Sequence, residues 1–221
     1  MSDARPRRGR PPGCSGSDLL AVARNVFLEH GYAGTSMDEV AARARISKAS
    51  LYREHPSKDA LFAAVVRDWT AAGRDAMRPH LQRLVDGTDV RGDLTVLAEV
   101  MRAGILSKDV LGMRRLITSE STRFPDVAAE YLEQSWHRNI AGLGEALTAL
   151  QAQGRLDAPD PMLAADQFTW LVIGSPLNRM LLTTTDDPAI QDSPVAAAVD
   201  LFLAGYQPNN PRAISDTAPR T

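Results

Sequence analysis

Cysteine occurs once in the 221 residues, at Cys14. No disulfide can therefore form within the chain, which suits a reducing compartment. No stretch approaches the ~20 consecutive apolar residues that a bilayer-crossing helix needs. The N-terminal arginines have no apolar run behind them, as a secretory signal requires. The expectation is a cytoplasmic protein with no membrane association. Only four histidines are present, His30, His55, His80 and His137, none spaced for metal ligation with Cys14 or with one another. Nucleophile-elbow and Walker-type glycine loops are missing as well. Gly142-Leu143-Gly144 lies inside a helical pattern, without a third glycine or a preceding strand. No catalytic residue, metal or cofactor is expected. Sustained period-two alternation is also lacking, so strands are not expected.

What remains is a chain with 44% apolar and 24% charged residues, ordinary for a globular protein and long enough to bury a core. The net charge of −2 argues against a protein that coats nucleic acid, but its distribution is uneven. Residues 1–60 carry 10 Lys/Arg against 7 Asp/Glu, whereas residues 61–221 carry 15 against 20. A basic head on an acidic body places any phosphate-binding surface at the N-terminus. Residues 1–16 (with RPRRGRPPGCSG) have the composition of a disordered basic arm, and 207–221 that of a disordered tail.

Between these ends the periodicity is helical. Ser17 reads as the N-cap of a first helix, whose stripe is Leu19, Leu20, Ala23, Val26 and Phe27, and Gly31 ends it. Ser36-Met37-Asp38-Glu39 reads as a capping box. Ser47 caps a short helix reaching about Tyr52, and Ser57 a long one over 58–78 that Pro79 stops. Further helices are expected over about 89–106, 109–121, 126–153, 160–183 and 194–206. The 126–153 helix carries Leu132, Trp136, Ile140, Leu143, Leu147 and Leu150 on one stripe. Thr183–Asp192 is a polar break.

Residues 35–52, TSMDEVAARARISKASLY, form two short helices around a tight turn at Ala44-Arg45-Ile46. Helices this short are marginal alone and need the first for support. Three such helices make a helix-turn-helix, with the last able to enter a major groove. Periodicity alone fits a solvent-facing helical hairpin equally well.

Residues 19–66 resemble the DNA-binding segment of tetracycline-repressor-like (TetR/AcrR) regulators. The matching elements are F-x-x-x-G-Y (Phe27, Gly31, Tyr32), TSMDEVA from Thr35, ISKASLY from Ile46 and PSKDALF from Pro56. Residues 114–134 resemble the effector domain of one branch. The resemblance implies an all-α protein: a three-helix DNA-binding domain (17–62), then a helical effector-binding and dimerisation domain (63–206). It implies phosphate contacts from Thr35 and Ser36, groove contacts from Ser47, Lys48, Ala49 and Ser50, and backbone contacts from Tyr52 and Lys58. Arg7, Arg8 and Arg10 either reach a minor groove or belong to a plain tail. Two positions depart from the family pattern. Arg45 stands where glycine is common, which implies a left-handed backbone, and His55 stands where an aromatic is common.

The resemblance further implies a homodimer on double-stranded operator DNA. Its interface is expected from Phe168, Leu171, Val172, Val195, Val199, Phe202 and Tyr206, with a kink at Gly174-Ser175-Pro176. A small effector is expected among Met101, Met113, Leu116, Phe124, Tyr131, Trp136, His137 and Trp170, with repression released from a palindromic operator. The rival readings are an enzyme, which no motif supports, and a helical binding or adaptor protein that does not bind DNA.

Overall fold

The computed structural model describes residues 16–73, 76–183 and 195–208, and every regular element among them is helical. Arg7, Arg8, Arg10 and Cys14, the arm 1–15, most of the break after Thr183 and the tail from 209 lie outside the described residues. The chain divides between Trp69 and Thr70 into two compact units.

The first unit holds α1 (Ser17–Gly34), α2 (Met37–Arg43), α3 (Lys48–Glu54) and the start of α4 (Lys58–Gly73). Gly16, one residue earlier than expected, is the N-cap of α1. Gly31 interrupts that helix with φ 67°, a conformation that costs glycine little. The chain then resumes helical geometry to Gly34. Leu19, Ala23, Val26 and Phe27 from α1 are buried with Val40, Ala41, Leu51, Leu61, Phe62 and Val65. Phe27, Tyr32 and Phe62 form an aromatic cluster, with ring centroids 5.4–6.0 Å apart. α2 and α3 have seven residues each, too few to hold helical form without this support.

The expected helix over 58–78 is corrected. α4 ends at Gly73, and a separate α5 (Arg78–Asp86) begins with Pro79 in its first turn. Proline suits that place, because its missing N–H would have no helical partner there. The proline thus starts a helix rather than stopping one.

The second unit continues with α6 (Val90–Ile105), α7 (Lys108–Glu120) and α8 (Pro125–Tyr131). A π-helical turn (Leu132–His137), α9 (Arg138–Ala152), α10 (Pro161–Leu182) and α11 (Val195–Tyr206) follow. The helix expected over 126–153 is therefore interrupted by the π turn. The wider turn resets the register, which leaves Leu132 exposed although it belongs to the expected stripe. α9 packs along α10 and α5, and α6 packs on α5 and α11. Their shared core includes Leu84, Leu94, Leu97, Leu147, Phe168, Ile173 and Phe202. Close approach is built in at Gly144, where a Cβ would lie 2.3 Å from Met162 Sδ. Buried Asp93 on α6 accepts from Arg83 Nε on α5 at 2.7 Å. α10 stays helical through Pro176.

Candidate nucleic-acid interface

Three backbone features place α3. Ser36 Oγ accepts from the Glu39 amide at 3.2 Å, so the serine half of the expected capping box forms. Glu39 Oε1 is engaged by Arg43 at 2.7 Å and by His30 at 3.1 Å. The turn after α2 is a Schellman motif: the Ile46 amide donates to Ala41 O at 3.1 Å and the Arg45 amide to Ala42 O at 3.2 Å. Arg45 has φ 59°, the left-handed backbone expected at that position. Ser47 then caps α3, its Oγ accepting from the Ser50 amide at 3.0 Å.

The exposed surface of α3 carries Lys48, Ala49, Tyr52 and Arg53, with Ser47 at its start and Ser50 half-buried beside it. Tyr52 is 47% exposed, so its phenol is free to reach outward from α3. Lys48 Nζ pairs with Asp38 of α2 at 2.5 Å, and both side chains are largely exposed. Pairs of this kind contribute only ~0–1 kcal/mol, so a phosphate can displace the carboxylate cheaply. Nothing in the spacing of residues 38 and 48 signals this pairing. Arg43 is held by Glu29 at 2.5 Å and by Glu39, and its hydrogen bond keeps the Glu29 carboxyl below its ordinary value. His55 ends α3, half-buried, its amide donating to Leu51 O at 2.8 Å.

Two residues expected to grip phosphates are instead engaged inside the unit. Thr35 is 3% exposed, and its hydroxyl donates to Gly31 O at 2.8 Å. Lys58 Nζ donates to the carbonyls of Tyr32 (2.9 Å), Ala33 (3.3 Å) and Thr35 (2.9 Å), and lies 4.5 Å from the Tyr32 ring centroid. Tyr32 hydroxyl donates to Asp59. These contacts cover the carbonyls left open where α1 ends. Thr35 and Lys58, expected to touch phosphates, thus have their polar atoms engaged within the unit.

In the second unit, Phe168, Val172, Val199 and Phe202 are buried in the core of the unit itself. Phe168 and Phe202 meet edge-to-face at 5.0 Å. Of the seven expected interface residues, Leu171 is exposed at 41%, while Val195 and Tyr206 are half-buried. The large apolar side chains turned outward on α10 and α11 are Met162, Leu163, Trp170, Leu171, Leu182 and Leu201. Among the expected effector residues, Met101, Met113 and Leu116 are buried. Phe124 and Tyr131 are half-buried, and His137 is exposed and paired with Glu133 at 3.0 Å. Trp136 and Trp170 meet at 5.3 Å, with the Arg114 guanidinium 4.8 Å from the Trp136 ring. A cleft of about 550 Å³ lies elsewhere, between α5 and α9. Its lining mixes Met77, Leu81 and Val85 with Arg138, Asn139 and Glu145, and includes none of the eight expected residues.

A helix-turn-helix with a capped, outward-facing third helix, followed by a separate helical unit, defines a DNA-binding transcriptional regulator rather than an enzyme. Residues 19–65 match the family described as "Bacterial regulatory proteins, tetR family". Residues 92–208 match "AefR-like transcriptional repressor, C-terminal domain". The chain belongs to the TetR family. It is 32% identical over 120 residues to the HTH-type transcriptional activator FasR of Mycolicibacterium smegmatis, covering 51% of this chain and 49% of FasR. The chain thus spans about half the length of that relative. The transcriptional regulator AcuR of Cereibacter sphaeroides is 26% identical over 201 residues, covering 83% of this chain and 86% of AcuR. Among solved structures, a TetR-family regulator from Mesorhizobium loti superposes with a TM-score of 0.79 at 26% identity, covering 86% of this chain and 95% of that one. The flavonoid-responsive regulator FrrA superposes at 0.63 with 32% identity, covering 86% and 96%. Among the described residues, no helix is long and apolar enough to cross a membrane.

Proposed function

We propose that the chain is a ligand-responsive repressor that binds a palindromic operator as a homodimer and is released by a small apolar effector. The observation that carries the reading is the outward face of α3. Ser47, Lys48, Ala49 and Tyr52 stand together there on a rigid three-helix support. Short hydroxyls, one mobile cation and a small methyl side chain suit groove edges and phosphates, and Tyr52 offers a phenol to a phosphate oxygen. Thr35, Ser36, Ser50 and Lys58 would add phosphate or groove contacts, and the arm arginines Arg7, Arg8 and Arg10 would add minor-groove contacts.

Repression is supported by the repressor description of the family matched over 92–208. Activation is the second reading, favoured by the activator FasR. Dimerisation is supported by α10, which is apolar on its outward face as well as its core face. Soluble helices rarely leave such a face to water, and Leu163, Trp170 and Leu171 would meet their symmetry equivalents. An effector is supported by the α5–α9 cleft and by the ring surface of Trp136 and Trp170. FrrA, similar over most of its length, responds to flavonoids, so flat aromatic compounds are the first class to test.

DNase I footprinting on the DNA flanking the protein's own coding sequence tests the reading. A protected segment with two-fold symmetric half-sites, lost on adding a representative flavonoid, is expected. An unprotected flank at low ionic strength contradicts operator binding. Protection that no apolar compound relieves contradicts the effector alone.

A further inference from the structure

Arg45 occupies a backbone position that opposes it. At φ 59° its Cβ crowds the neighbouring carbonyl, which is why glycine predominates at the C′ position of a Schellman turn. Substituting glycine would relieve this strain without disturbing the two amide bonds that form the turn. A strained residue persists where it is over-determined by packing or serves a function. Packing does not hold Arg45, because its side chain is exposed. Among the described residues no hydrogen bond or ion pair engages its guanidinium.

Other described cations of the first unit have work inside the fold. Arg24 stacks on Trp69 at 4.7 Å, Arg43 bridges Glu29 and Glu39, Lys48 pairs with Asp38, and Lys58 closes the end of α1. Arg53, exposed in the last turn of α3, offsets the negative end of that helix. Arg45 alone among these pays a conformational penalty and gains nothing within the unit. It sits two residues before Ser47, within about 7 Å of the start of α3 along the chain.

We infer that Arg45 is a DNA-backbone contact, a fixed cation that grips a phosphate beside the groove entered by α3. The inference rests on the DNA-binding reading of α3 and adds to it a residue that trades folding stability for affinity. A guanidinium with five unused donors can hold a phosphate bidentately, which an ammonium cannot.

The test is a fluorescence-anisotropy salt titration of a labelled 30-base-pair duplex of arbitrary sequence, with thermal melts of the same full-length proteins. Arg45→Gly should melt about 2–4 °C higher yet bind roughly tenfold more weakly. The slope of log K against log salt should be shallower by about 0.9 per protomer. Arg45→Ala should show the same loss of slope without the gain in melting temperature. Arg45→Lys should keep the slope. If Arg45→Gly melts higher but retains both affinity and slope, while Lys48→Ala weakens binding, Arg45 is only a strained helix stop and the inference is overturned. If the wild-type protein ignores the duplex, the DNA-binding reading itself fails and takes the inference with it.

Discussion

Lys48 and Lys58 are both exposed enough in the sequence pattern to reach phosphate, yet the structure gives them different work. Lys48 holds one carboxylate across an exposed surface. Lys58 holds three carbonyls at the end of α1. Hydrogen bonds from a charged donor contribute about 1.5–3 kcal/mol, and leaving their acceptors bare costs more than losing a surface pair. Lys58→Met should therefore lower unfolding stability by about 1–3 kcal/mol in a urea titration, and Lys48→Ala by less than about 0.5 kcal/mol. Equal effects from the two would contradict the capping role of Lys58. The sequence motif carries both lysines without distinguishing them, because a side chain's partner 23–26 residues away depends on how α1 ends. Arg45 was legible for the opposite reason. The family resemblance places a glycine at this turn position, and a residue standing in for that glycine inherits its left-handed backbone.

Elements are where periodicity speaks most clearly, and where it stops short is physically plain. Four of the six helices expected after Ser57 appear close to their expected limits, since an apolar stripe must face a core wherever that core lies. Pro79 was ambiguous, because proline is equally compatible with the end of one helix and the first turn of the next. The π turn at Leu132–His137 has no signature in the spacing of apolar residues. The junction of α5 and α6 shows how tightly such elements are set. At Gly87 an added Cβ would stand 2.1 Å from Asp93 Oδ2 and 2.8 Å from the Arg83 carbonyl. Asp93 is buried and bonded to Arg83, so neither neighbour can yield without breaking that bond. Gly87→Ala should destabilise the second unit by about 1–3 kcal/mol. A melt unchanged within a degree would show that the α5–α6 connection is slack.

At the scale of the whole molecule, two units have separate tasks, and the second must bring two copies of the first together if a two-fold operator is to be read. The faces of α10 could not be sorted from sequence, because both are apolar and the pattern does not say which one meets the protein's own core. Phe168 and Val172 went inward, Trp170 and Leu171 outward. The dimer account accordingly predicts that Leu171→Lys shifts the protein from dimer to monomer in size-exclusion chromatography with light scattering. Phe168→Ala, a core cavity costing about 3–5 kcal/mol, should lower stability first. A Leu171→Lys protein that remains dimeric places the interface elsewhere.

The central claim is that the outward face of α3, read in duplicate, recognises duplex DNA. Its most direct test is anisotropy of a footprinted operator fragment with wild-type, Lys48→Ala and Tyr52→Ala proteins, with circular dichroism on the same samples. Each substitution should weaken specific binding by roughly tenfold or more at constant helicity. Unaltered affinity in both variants, with the wild type still bound, would place the DNA-reading surface outside α3.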